Sequence, residues 1–128
     1  MSEIKEPEQQ EKIVIIATHG GEDPERASLP FVMANAALAM DTPVVVILQG
    51  TAVTLATKGC YEHVFAAGLP PLKELVDSFL QMDGTLLVCS PCISERKITK
   101  EMLLEKAQPV KAARVVTEVL EASATVNY

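Results

Sequence analysis

Tryptophan is absent from this chain, and two Tyr and three Phe bring the aromatic share to only 4%. A core built without large rings must be filled by Val, Ile, Leu, Ala and Met, and the apolar share of 48% provides them. Positive charge is also scarce. Eleven basic residues stand against seventeen acidic ones, for a net charge of −6. With no Lys/Arg cluster to override it, that balance repels phosphate backbones and excludes nucleic acid as the expected partner. Long apolar runs are missing too: Ile13 to Ala17 and Val44 to Leu48 fall far short of the roughly 20 residues a membrane helix needs. The first residues carry Glu3, Lys5, Glu6 and Glu8 rather than the apolar stretch of a secretion signal. A cytoplasmic protein without membrane contact is the expectation. Cysteine is limited to three residues, an odd number in a chain of 128 that is long enough to bury one core without covalent staples. In a reducing compartment, cysteines kept close together are catalytic or metal-binding more often than structural.

What is present is an alternation of apolar runs and helical stripes. Residues 1–11 are polar and charged and read as a flexible tail, with a single domain over 12–128. Lys12 to Thr18 is β-branched on both faces, as a parallel strand buried on both sides requires. Asp23 followed by Pro24 is a cap and first turn. Pro30 conflicts with a helix starting there, so the helix either kinks at Pro30 or begins with Ser28 as cap, and it runs to about Asp41. Pro43 to Leu48 is a second buried strand, broken by Gln49-Gly50, and Val53 to Lys58 is a short helix closed by Gly59. Leu72, Leu75, Val76, Phe79 and Leu80 form a one-sided helical stripe ended by Asp83-Gly84, and Thr85 to Val88 is the third strand. Thr99 caps a helix through Leu104, Pro109-Val110 is a short fourth strand, Lys111 to Ala122 is helical by period, and Ala124 to Tyr128 is a last strand. The pattern specifies an α/β domain with a five-stranded, mainly parallel sheet between layers of helices.

The pair Cys89 and Cys92 lies in Val88-Cys89-Ser90-Pro91-Cys92, where the third strand ends. Open α/β sheets place their chemistry at that carboxyl end. A thiolate there can accept a sulfane sulfur, pair with its neighbour or bind a soft metal, and Arg96 and Lys97 are near enough in sequence to favour the charged form. Cysteine is also among the most buried residue types, so packing without chemistry competes with this reading, and for the solitary Cys60 packing prevails. A structural zinc site would need a second C-x-x-C or a close His pair, and His19 and His63 form neither, so no metal and no cofactor are expected. A thioredoxin-type site would follow the first strand of its unit and open a long helix. Gly20-Gly21 lacks both phosphate-loop patterns and is followed by the anionic Glu22-Asp23, so a tight turn is the better account. His19, at the end of the first strand, is a candidate for substrate contact because it titrates near neutrality.

These segments together resemble the DsrE/DsrF-like family, which includes YchN-like proteins and TusD-type sulfur-relay subunits. The resemblance spans Lys12 to Tyr128. It rests on Glu22-Asp23-Pro24-Glu25-Arg26 after the first strand, Lys58-Gly59 after the second, the Leu72 to Phe79 helix, and Val88 to Ile98, which is similar to the pattern C-x-x-C-x-x-x-R-G-[IL]. Lys97 stands where that pattern has Gly, and dedicated carriers keep only the position of Cys89. The resemblance implies a cytoplasmic sulfur-handling protein, a sulfurtransferase or a sulfur-carrier subunit, in which Cys89 receives sulfur as a persulfide. Cys92 is the second thiol, Arg96 steadies the thiolate or persulfide, and His19 and Lys58 contact substrate. It also implies a homo-oligomer, trimer or hexamer, served by sulfur donor and acceptor proteins. The alternative is an oligomeric binding or regulatory module whose cysteines are structural.

Overall fold

The computed structural model describes residues 11–128, so nearly all of the expected tail lies outside the described residues. Five strands, β1 (Ile13–Ala17), β2 (Val44–Leu48), β3 (Thr85–Cys89), β4 (Ala107–Val110) and β5 (Ala124–Asn127), alternate with four α-helices. The helices are α1 (Pro24–Ala39), α2 (Leu72–Gln81), α3 (Ser90–Glu95) and α4 (Ala112–Glu121). The sheet order is β4-β3-β2-β1-β5 and every neighbouring pair is parallel. The mainly parallel sheet of the sequence reading is therefore wholly parallel.

That order decides which face each helix covers. From β1 to β4 the chain steps steadily in one direction, and right-handed crossovers then put the intervening helices on one face. From β4 to β5 it steps back past β1, so α4 crosses the other face. On the first face Phe31 of α1 meets Phe79 of α2 edge to face, with ring centres 5.6 Å apart and planes at 76°. Around them pack Ile15, Val46, Leu86, Val88 and Leu72, all buried. The second face is a smaller cluster of Val14, Val45, Ile47 and Leu87, with Val115 and Ala122 packed against it.

Helix α4 is oriented against its own composition. Its one buried residue is Glu118, whose carboxylate accepts from Lys12 Nζ at 2.9 Å and from Arg114 Nε at 2.7 Å. Ala112, Ala113, Val116, Val119 and Leu120 recur at helical spacing on the exposed side, with Leu120 80% and Val116 57% accessible. The ion pairs face the protein and the apolar stripe faces out.

Local differences from the sequence reading have local causes. Helix α1 starts at Pro24, with Asp23 Oδ1 accepting from Arg26 N at 3.1 Å. Pro30 is accommodated inside it: the carbonyl its missing N–H leaves free is that of exposed Arg26, where water can satisfy it. The expected helices at Val53 to Lys58 and Thr99 to Leu104 are 3-10 turns, at Gly50–Ala56 and Lys100–Met102. Both are short segments tied to each other by an isolated bridge, Thr57 to Leu103, and by the Leu104 N–H on the Ala56 carbonyl at 2.8 Å. No described helix is long and apolar enough to cross a membrane.

Candidate functional site

The parallel sheet brings the loops after β1, β2 and β3 to one edge. Cys89 closes β3 and is the cap residue of α3, and Cys92 lies one turn on, so both are carried on rigid backbone. Both are half-buried. The Gly50 N–H donates to the Cys92 sulfur at 3.3 Å. Gly50 holds this position with φ of +56°, a left-handed turn that a side chain would strain. The turn is braced from β1: Gln49 N donates to the Ala17 carbonyl at 2.9 Å. Beside it, a Cβ on Gly20 would stand 2.7 Å from the Thr51 carbonyl oxygen, so glycine alone permits this approach.

Burial pushes the Cys89 thiol above its ordinary value; the Cys92 thiol adds to that rise, while the Cys92 backbone N–H and the Arg96 charge oppose it. Arg96 Nη1 itself donates to the Cys92 carbonyl at 3.2 Å, clamping the turn between the cysteines and its own position. The expected cation is therefore present, but its direct partner is backbone, and its effect on Cys89 is outweighed by desolvation.

Neither His19 nor Lys58 makes a hydrogen bond to either cysteine. The His19 ring lies 3.3 Å from Glu22 Oε2, while the other Glu22 oxygen accepts from the Gly20 N–H at 2.6 Å, so the loop is closed on itself. Lys58 lines a cavity of about 770 Å³ with Lys100, Leu103, Leu104, Glu105 and Ile93 of α3. Neither cysteine reaches that cavity. Cys60 is half-buried on another segment. Among the described residues no three His, Cys, Asp or Glu side chains gather to hold a metal.

The sequence reading missed Gly50, taking Gln49-Gly50 only as a strand break. A glycine directly after a buried strand is a signal for close backbone approach, but its partner is 42 residues away and only the sheet order joins them.

An α/β domain of parallel strands with a dithiol at its carboxyl edge is the class these features define. The DsrE/DsrF-like family model matches residues 11–128, and the chain belongs to that family. Solved structures share its fold. YchN from E. coli superimposes with a TM-score of 0.79 at 17% identity, over 92% of this chain and 99% of that one. MTH1491 from Methanobacterium thermoautotrophicum gives 0.74 at 14% identity, over 92% and 99%. BT1422 from Bacteroides thetaiotaomicron gives 0.63 at 13%, over 92% and 95%. A search of curated proteins finds no match.

Proposed function

We propose that this DsrE-family protein accepts sulfane sulfur on Cys89 and relays it, with Cys92 as second thiol. The observation that carries the reading is the pairing of the two thiols at the sheet edge, with Gly50 donating to Cys92. In the loading step the Cys89 thiolate attacks the outer sulfur of a donor persulfide, and the donor thiolate leaves. Half-burial suits the product, because a persulfide shielded from bulk water is shielded from stray thiols. Arg96 is the positioning residue for this turn through the Cys92 carbonyl. His19 stands on the same edge for substrate contact, whereas Lys58 opens on the groove beyond α3, where it would meet an incoming protein rather than the sulfur.

The assembly proposed is a homo-oligomer in the cytoplasm. An exposed apolar stripe on an otherwise ordinary surface marks an interface. About a two-fold axis at Val116, antiparallel copies of α4 would set Ala112 against Leu120 and Ala113 against Val119, small against large, as packed helices require. A second copy of this chain therefore fits the stripe, and a hexamer, which contains two-folds, accommodates it better than an isolated trimer.

Mass spectrometry tests the relay. A persulfide donor should add about 32 Da, one sulfur atom, to Cys92→Ser but not to Cys89→Ser. Loading of Cys89→Ser alone would reverse the assignment. Loading unaffected by either substitution removes the relay and leaves the module with structural cysteines, for which the raised Cys89 thiol is the favouring observation.

A further inference from the structure

Two thiols one helical turn apart can do more than hold and pass a sulfur. The backbone between Cys89 and Cys92 runs from the last residue of β3 through the first turn of α3. A strand-end residue and the third residue of the following helix have Cα atoms within the range that a disulfide bridges. The Cys92 sulfur is fixed from outside that turn by the Gly50 N–H, and the turn itself by the Arg96 guanidinium on the Cys92 carbonyl. Cys92 is thus held near Cys89 by groups from the turn after β2 and from the C-terminal cap of α3 that do not depend on any bound partner.

We infer that the chain also releases sulfide: Cys92, positioned by Gly50, attacks the inner sulfur of a Cys89 persulfide and expels hydrosulfide. This rests on the relay reading for the loading step. The attacking species is the Cys92 thiolate. A bond forms between the Cys92 and Cys89 sulfurs, and the bond between the Cys89 sulfur and the outer sulfur breaks. The outer sulfur takes that electron pair and leaves as HS⁻ with the proton it already carries. The sulfane sulfur is reduced, and the two cysteines are oxidised to a disulfide. Two equivalents of a low-molecular-weight thiol, or one dithiol, return the pair to the reduced state.

The inner sulfur is the favoured target because it is the atom Cys92 already faces. Both the Cys92 thiol and its backbone N–H act on the Cys89 sulfur, so the two residues are in contact before any sulfur is loaded. Attack on the outer sulfur requires that atom to enter the space between the cysteines. A single-cysteine carrier lacks this route altogether, since its persulfide must wait for an acceptor.

The test uses the full chain in a Cys60→Ser background, which removes the third thiol. Glutathione persulfide is added at one equivalent without other reductant, and sulfide is trapped as it forms. The Cys60→Ser protein should yield close to one sulfide per chain and end about 2 Da lighter than its reduced form, with Cys89 and Cys92 in one disulfide-linked fragment. Cys92→Ser and Cys92→Ala in that background should keep about 32 Da of added sulfur after the one equivalent of glutathione freed by loading is removed, and release sulfide when excess thiol is then supplied. Two matching variants guard against misfolding of either. If the intact pair holds its added sulfur without releasing sulfide, the inference is overturned while the relay stands. If the Cys92 variants take up no sulfur, the relay on Cys89 and the release fall together.

Discussion

Glu118 and Lys12 meet over 2.9 Å beneath helix α4, tying the residue before β1 to a helix that begins 100 residues later. Burial pushes the Glu118 carboxyl up, but hydrogen bonds from Lys12 and Arg114 outweigh it and hold the group below its ordinary value. A carboxylate lowered in the folded state stabilises the fold at pH above its unfolded value, and that contribution is lost as pH falls through the lowered one. Glu118→Gln should cost about 1–3 kcal/mol at neutral pH, with the difference from wild type shrinking in acid. Urea unfolding at both pH values measures it, and a gap that is constant with pH would show that charge is not what Glu118 contributes.

The Cys89 thiol should titrate above the ordinary thiol range, because burial is its largest perturbation. Iodoacetamide rates against pH, taken on Cys60→Ser/Cys92→Ser, give the midpoint. Arg96→Ala should move it further up and Arg96→Lys should largely restore it, since the Arg96 charge lowers the thiol. An Arg96→Ala midpoint equal to its parent's would remove Arg96 from the site.

Leu120→Glu, alone or with Val116→Glu, should break the two-fold contact and lower the mass of the assembly, a hexamer to trimers, without changing helix content, because both side chains are exposed on their own protomer. Light scattering beside circular dichroism reads both properties. A wild-type chain that is already monomeric at micromolar concentration would sink the oligomer.

Gly84 lies against the Phe79 ring, and a Cβ there would overlap it. Phe79 is locked in turn against Phe31, so the ring has little room to yield. Gly84→Ala should destabilise the chain by about 1–3 kcal/mol; unchanged thermal unfolding would mean that the α2–β3 turn relaxes freely.

β1, β2 and β3 were legible because short apolar runs such as Ile13 to Ala17 and Leu86 to Val88 read as buried strands, and parallel pairing followed from their separation by helical stripes. The cysteine pair was legible for the same reason: it stands at the end of one of those runs. Helix α4 was legible as a helix by its period, but period does not say which side faces inward. That depended on Lys12, far away in sequence, as counter-charge for Glu118. Gly50 was hidden for a related reason, since its donor role exists only once β2 and β3 are neighbours. Pro30 resolved in favour of Asp23 as cap because the cost of a missing N–H depends on whether the orphaned carbonyl is exposed, which composition does not reveal.

The pairing of β1 with β5, Ile13 beside Ala124, sets an order of events during synthesis. β1 leaves the ribosome well before β5, since this neighbour is made 111 residues later, the separation between Lys12 and the Ser123 hydroxyl it binds. Until then β2 to β4 can assemble on one side while the other edge of Ile-Val-Ile-Ile stays open, the kind of edge on which nascent chains associate wrongly. Translation speed through the α4 region, and chaperones that cover an exposed strand, should therefore influence the yield of folded protein.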